Sequence, residues 1–400
     1  MAQKFLEAGY EICTLTEKPD IVIVNTCTVT NIADRKSRHM LRKVKEENKN
    51  AIVVAVGCYV QVASEKVNKI EEIDLSIGNV EKRDIVNIVE NYIKEKEKIT
   101  EIADINQEKE FLEFGSITFS EKTRATIKIQ DGCNNFCTYC LIPYARGRIR
   151  SRKKENIIDE VTKIAQKGIK EIVITGIHIA SYGKDFENNY KLIDLLEDLN
   201  KIEGIKRIRL GSLEPTIITE EFAIRLSKLE KICNQFHLSL QSGCDETLKR
   251  MNRKYTCDEF REVTKILRKY FKDVNLTTDI IVGFPGETEE EFNKTYEFLK
   301  EIKFYKMHIF KYSPREGTPA AKMPNQVDGN IKEQRSQKLI ELSDQNQLWY
   351  NQKHIGKPVE VLFEEEKDGV WSGYTKNYIK VNIKSSKNLE NQLVTVKIFH

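Results

Sequence analysis

No stretch of these 400 residues approaches the roughly 18 consecutive apolar residues that would cross a membrane. The opening MAQKFLEAGY has the pattern of an amphipathic helix and lacks the apolar centre of a signal peptide, so a cytoplasmic protein is expected. Charge of one sign is also missing. Sixty-five Lys and Arg stand against 61 Asp and Glu, a net charge of +4, so any case for nucleic acid must rest on local clusters. A disulfide framework is absent as well. Nine cysteines is an odd number for a chain this long, and only three of them sit together. In a reducing compartment, clustered thiols point to metal.

What is present is enough for real cores, with 40% hydrophobic residues and a length that suggests two or three domains. DIVIVNTCTV and AIVVAVGCYV read as buried parallel strands, LSIGNV as a shorter third, and Arg35–Asn48 and Lys82–Lys94 as helices between and after them. This is a doubly wound α/β pattern over residues 1–100, fading into a charged linker, EKEKITEIADINQEKE. Residues 119–348 then repeat a βα period. RATIKIQ, EIVITG, KRIRLG, QFHLSL, NLTTDIIVG and KMHIFKY are six strands, each running into polar or glycine-rich residues. Six units fall short of the usual eight, so a partial (β/α)6 barrel is expected, with function at the C-terminal strand ends. Residues 349–400 alternate with period two and carry β-branched and aromatic residues, the pattern of a small all-β, OB-like barrel.

The chemistry starts at Cys133, Cys137 and Cys140, a C-x-x-x-C-x-x-C triplet just after the first barrel strand. A four-iron cubane normally takes four thiolates. Three on one short loop leave an iron open, which S-adenosylmethionine (SAM) can chelate. A structural zinc site would favour C-x-x-C pairs and a fourth ligand, and no further Cys or His lies nearby. Tyr139 could pack against adenine or simply into the core. Thr175, Gly176, Ser212, Glu214, Gln241, Ser242 and Asp279 lie near the ends of other strands, where they could line a SAM site or serve as satisfied structural groups.

DGCNNFCTYCLIPYARGRIRSR resembles the cluster loop of the radical SAM methylthiotransferases. NTCTVTNIADRKSR, VAVGCYVQ, SLEP, LSLQSG, TTDIIVGFPGET and VLFEEEKDGVWSGYTKNYIKV resemble that family's other blocks, in its order and over nearly the whole chain. NTCTVTNIADRKSR points to the branch acting on threonylcarbamoyladenosine in tRNA. The resemblance implies three parts: an N-terminal methylthiotransferase domain with a second 4Fe–4S cluster, a radical SAM domain, and a TRAM domain for RNA. It also implies a transferase that methylthiolates carbon two of the modified adenosine beside the anticodon, using SAM as both methyl donor and radical source. Cys27 and Cys58 match two ligands of the auxiliary cluster, although by themselves they read as core cysteines. The family's third ligand lies in a glycine-cysteine motif after a strand that would precede the helix opening this sequence. The expectation is therefore a truncated N-terminal sheet and an auxiliary site one thiolate short, for which Cys13 is a poor substitute. Two alternatives stand beside this: modification of a ribosomal-protein aspartate, and a non-catalytic RNA-binding remnant.

The run RGRIRSRKK brings Arg146, Arg148 and Arg150 directly after the cluster loop, where they could neutralise phosphates or merely be a solvated face. The helix with Arg35, Lys36, Arg38, His39, Arg42, Lys43 and Lys45 is also basic, and more readily a solvated surface. Trp371, Tyr374 and Lys376 in the tail suit splayed bases such as those of an anticodon loop, with core packing as the competing claim. The sulfur and electron donors are not encoded in any pattern found.

Overall fold

The structure is a computed structural model that describes residues 1–96, 99–113 and 123–398. The described residues form two compact units. One takes residues up to 113 together with 131–150 and 313–322. The other takes 123–130, 151–312 and 323–398. The segments 131–150 and 313–322 thus group with the N-terminal sheet. The C-terminal sheet groups with the barrel strands.

In the first unit, β1 (Ile21–Thr26), β2 (Ile52–Gly57), β3 (Leu75–Ile77) and β4 (Ile99–Glu101) make a parallel sheet in that order. β4 corrects the reading of its segment as linker. Three residues are too few to show a strand pattern, yet Ile99 to Glu101 pair with Leu75 to Ile77. β2 is apolar throughout because both of its faces are covered. Val53 and Ala55 pack with Leu41 and Val44 of α2 (Asn31–Glu47). Val54 and Val56 pack with Phe5 of α1 (Ala2–Glu7) and with Ile85 and Val89 of the helix Ile85–Glu95. Thr30 caps α2 by accepting a hydrogen bond from the Ala33 N–H at 3.1 Å.

In the second unit, β5 (Arg124–Asp131), β6 (Glu171–Gly176) and β7 (Arg207–Leu210) form one parallel group. β8 (Gln235–Gln241), β9 (Asn275–Val282) and β10 (Lys306–Lys311) form another. Leu213 and Ser239 join the two: the Leu213 N–H donates to His237 O at 2.8 Å, and the Ser239 N–H to Leu213 O at 3.0 Å. The six strands make an open half-barrel, as the βα period predicts. Ile127, Ile172, Ile208, Phe236, Leu238, Leu276 and Ile280 face the surrounding helices and form the core. The alternate positions carry polar groups: Glu171, Arg207, Arg209, Gln235, His237, Thr277 and Asp279.

A four-stranded antiparallel sheet follows the long helix Gly329–Gln352. Its strands are β11 (Pro358–Lys367), β12 (Val370–Thr375), β13 (Lys380–Lys384) and β14 (Leu393–Lys397), in the order β13-β12-β11-β14. It packs against the starts of the barrel strands. Arg207 donates to Tyr374 O at 2.8 Å and to Glu360 Oε1 at 3.0 Å. Arg209 lies over the Tyr378 ring at 4.3 Å, and Asn275 Nδ2 donates to Asn377 O at 2.8 Å. Glu171 holds this junction. Its carboxylate is 2% exposed, 3.0 Å from Arg209 Nε and 3.9 Å from Arg207 Nη1.

Removing one partner of a buried ion group strands the others without counter-charge, at a cost of about 3–5 kcal/mol. Glu171→Ala is therefore expected to lower the denaturation midpoint sharply, whereas substitution of the exposed Glu262 leaves it nearly unchanged. Denaturant titration of the two variants checks this.

Candidate cluster and cofactor site

The cysteine triplet sits in the first unit on a loop fixed by glycines. Gly132 has φ +72°, and a Cβ there would lie 1.8 Å from Arg148 O. Only glycine fits that approach. It lets the Cys133 N–H donate to Gly147 O at 3.0 Å, while the Cys140 N–H donates to Cys137 O at 3.0 Å. Two backbone N–H groups are aimed at sulfur. Asn135 N lies 3.5 Å from Cys133 Sγ and Ile142 N lies 3.4 Å from Cys140 Sγ. Donors directed at sulfur match thiolates better than thiols and tune a cluster's potential. Cys137 is buried, Cys133, Cys140 and Tyr139 are half-buried, and none of the nine cysteines is in a disulfide. The donor set fits an iron–sulfur cluster with one open iron.

Cys27 and Cys58 come together through strand register. Thr26 pairs with Gly57 at the ends of β1 and β2, so the next residue of each strand is a cysteine on neighbouring parallel strands. Gly57 has φ +110°, and its missing side chain leaves room for Thr26 O, which would be 2.5 Å from a Cβ. Arg146 Nε donates to Cys58 Sγ at 3.1 Å, and its Nη1 lies 3.4 Å from Asp131 Oδ2. Asn79, buried at the end of β3, donates to Ala145 O at 2.7 Å and reaches Cys58 Sγ at 3.9 Å.

A cavity of about 720 Å³ opens among these loops within the same unit. Thr28, Tyr59 and Leu141 line it, one residue beyond Cys27, Cys58 and Cys140 respectively. Arg315 is buried in its wall. Its Nη2 donates to Thr28 Oγ1 and Asp34 Oδ2, both at 2.6 Å. The sequence reading missed Asn79, Arg315 and the Arg38–Tyr59 pair. Asn79 follows a strand end as Cys27 and Cys58 do, and that position was the available signal. Arg315 offered none, because its partners lie more than 280 residues away in the chain.

In the second unit, Thr175 and Gly176 end β6, with a Cβ on Gly176 only 2.9 Å from Gln130 O. Ser212 is exposed just past β7. Glu214 is buried, 3.2 Å from His178 Nε2 and 3.1 Å from Arg253 Nη2. Burial by itself would raise this carboxyl, but His178 and Arg253 outweigh burial and hold it below the usual carboxylate range. Gln241 ends β8 with φ +73°, a left-handed conformation that costs a side-chain residue about 1–2 kcal/mol and is concentrated at functional sites.

Several expectations are corrected. Asp279 does not end a strand. It lies three residues before the end of β9, 3.2 Å from His237 Nε2 and opposite His308 in the register. Ser242 is fully buried and bonded to Thr295 Oγ1 at 3.2 Å. Arg150 is 1% exposed and faces Asp131 at 3.9 Å, so it cannot meet a phosphate. Arg146 is likewise turned to Cys58 and Asp131, while Arg148 remains exposed, 4.6 Å from the Phe136 ring. In the C-terminal sheet, Trp371 is buried with Val361 and Phe363. Tyr374 stacks on Tyr378 at 4.5 Å beneath Arg124, and Lys376 bonds Glu230 O. All three are used in packing because this face closes the start of the half-barrel.

Residues 127–299 match the Radical SAM superfamily, and residues 1–78 match an uncharacterized protein family, UPF0004. The chain is 41% identical over 402 residues to the threonylcarbamoyladenosine tRNA methylthiotransferase MtaB of Bacillus subtilis (strain 168), spanning 99% of this chain and 89% of that protein. It is 38% identical over 399 residues to the tRNA-2-methylthio-N(6)-dimethylallyladenosine synthase of Clostridium novyi (strain NT), spanning 98% and 88%. Among solved structures, the radical S-adenosylmethionine methyltransferase TsrM from Kitasatospora setae shares the fold, with a TM-score of 0.58 and 16% identity over 77% of this chain and 66% of that one.

Two outcomes follow. Gly132→Ala is expected to lose iron and visible cluster absorption after anaerobic reconstitution. Gly168→Ala, with φ +85° but open space around it, is expected to keep both. The second concerns pH. Because the Glu214 pKa is lowered, the stabilisation carried by its carboxylate is fully present above the usual carboxylate range and fades only as pH falls through the depressed value. The melting-temperature difference between wild type and Glu214→Gln is thus flat at neutral pH and shrinks only in the acidic range, as a pH series of thermal melts would show.

Proposed function

The chain belongs to the radical SAM methylthiotransferase family, and from that premise we propose that it methylthiolates carbon two of N6-threonylcarbamoyladenosine beside the anticodon of tRNA. The observation that carries this reading is the cavity reached by the loops of Cys27, Cys58 and Cys140. A modified base held there would touch residues adjacent to both cysteine sets. The relatives reported above carry tRNA in their names, which favours RNA over a ribosomal protein as substrate.

Cys133, Cys137 and Cys140 would hold the radical SAM 4Fe–4S cluster, which when bound supplies the electron that cleaves SAM to a 5′-deoxyadenosyl radical. Cys27 and Cys58 would contribute two ligands to the auxiliary cluster. The protein's own part is to position and shield. Asn135 and Ile142 donate to the ligand sulfurs, and Arg146 sets a cation beside Cys58. Thr175, Gly176, Ser212, Glu214 and Gln241 would line the SAM site, with Glu214 kept anionic for an amine or hydroxyl donor. Tyr139 would pack against adenine. Arg148 and the exposed Arg35, Lys36 and His39 of α2 would meet the phosphates of the anticodon loop. The C-terminal sheet would act as a TRAM module. It would use surfaces other than the Trp371–Tyr374 face. No described helix is long and apolar enough to cross a membrane, which suits a cytoplasmic enzyme working on tRNA.

The test is anaerobic reconstitution, followed by incubation with SAM, a sulfur source, a reductant and tRNA bearing threonylcarbamoyladenosine, with digestion and mass spectrometry of the nucleosides. The methylthio nucleoside is expected, and Cys140→Ala abolishes both it and 5′-deoxyadenosine. SAM cleavage by wild type without any methylthio nucleoside would overturn the assignment.

A further inference from the structure

The two kinds of relative differ in what their adenosine carries on N6. One name specifies a threonylcarbamoyl group, which ends in a carboxylate, and the other a dimethylallyl group, which is apolar. A site for the first needs a cation to spare, and the other cations around the 720 Å³ cavity are already paired. Arg315 is neutralised by Asp34, and Lys66 is paired with Glu316. Glu65 is exposed at the edge. That leaves Arg38. Among the described residues it has no carboxylate partner. Its Nη1 donates to the Tyr59 hydroxyl at 3.0 Å, and its guanidinium lies 5.7 Å from the centre of the same ring.

We propose that Arg38 is the specificity-determining residue of this cavity and that it binds the carboxylate of the threonylcarbamoyl group. The inference rests on the tRNA reading above. Arg38 stands on the second turn of α2, the helix capped by Thr30 immediately after the Cys27 loop. Tyr59 is buried and follows Cys58, so the bond between them ties the cation's direction to the β2 end. Among the described residues the remaining donors of the guanidinium fork meet no other side chain, which suits a bidentate carboxylate, the geometry arginine fits best. Arg315 and Lys66 already spend their charge on Asp34 and Glu316, and the remaining lining carboxylate, Glu65, is exposed. An apolar dimethylallyl group would leave the half-buried Arg38 charge with no anion to bind. That mismatch discriminates more strongly than a missing contact alone, because a polar group is stranded.

The experiment measures affinity of the full chain for two synthetic anticodon stem-loops, without cofactors. One carries N6-threonylcarbamoyladenosine, and the other carries the same group with its carboxylate as a methyl ester. Wild type is expected to prefer the free acid by about tenfold or more, the size of a charge-assisted hydrogen-bond pair. Arg38→Gln is expected to bind both stem-loops alike, and Arg38→Lys to restore part of the preference. Thermal melts confirm that both variants are folded. If Arg38→Lys proves unstable, Arg38→Gln alone carries the test. A preference kept in folded Arg38→Gln, while wild type still forms the methylthio nucleoside, overturns the role of Arg38 and leaves the tRNA reading standing. Wild type that binds neither stem-loop and forms no such nucleoside overturns both.

Discussion

The residues around the cysteines depend on the register of one strand pair. β1 and β2 run parallel with Thr26 opposite Gly57, so whatever follows each of them in sequence is delivered to the same edge of the sheet. Parallel strands all finish on one side, and no turn intervenes to carry the chain away. Cys27 and Cys58 therefore follow neighbouring strand ends, and Asn79 arrives beside Cys58 from β3. Gly57 is the condition for this, since a side chain there would collide with the Thr26 carbonyl. The helix that starts at Cys58 then brings Tyr59 to Arg38, and the loop after Cys27 brings Thr28 to Arg315.

The second unit solves a different problem. A half-barrel has a polar inner face, and the starts of its strands would leave Glu171, Arg207 and Arg209 half-solvated. The C-terminal sheet covers them: both arginines face the Glu171 carboxylate, Arg207 donates to backbone carbonyls of that sheet, and Arg209 lies against the Tyr378 ring. This explains why aromatic and cationic residues that look like an RNA-binding set are occupied within the chain. Tyr374, Tyr378 and Lys376 serve the junction. The same composition suits a stacked base and a buried arginine, and composition alone cannot separate the two.

Much of the fold was legible because it is written in short periods. The apolar runs of β1 and β2 and the six repeats of strand followed by polar turn need only local pattern, and all eight strands lie where the pattern puts them. β4 was not legible, because a three-residue strand takes its identity from its neighbour β3. Asp279 was misplaced for a related reason. The pattern marks that a strand exists, while the pairing with β10 fixes how deep in it a residue sits.

The sequence by itself determined the cysteine loop. The spacing of Cys133, Cys137 and Cys140 and the glycine before them act within a dozen residues, so chain connectivity alone puts the three cysteines on one loop. It also determined the alternation that separates core from inner face. Only the tertiary structure decided which charges are spent. Arg150 and Arg148 are two residues apart and chemically identical, yet one is buried against Asp131 and the other is exposed. Arg315 is neutralised by a carboxylate 281 positions away, and Arg38 has none among the described residues. The availability of a charge depends on what lies within a few ångströms of it, and for these arginines those neighbours come from distant parts of the chain.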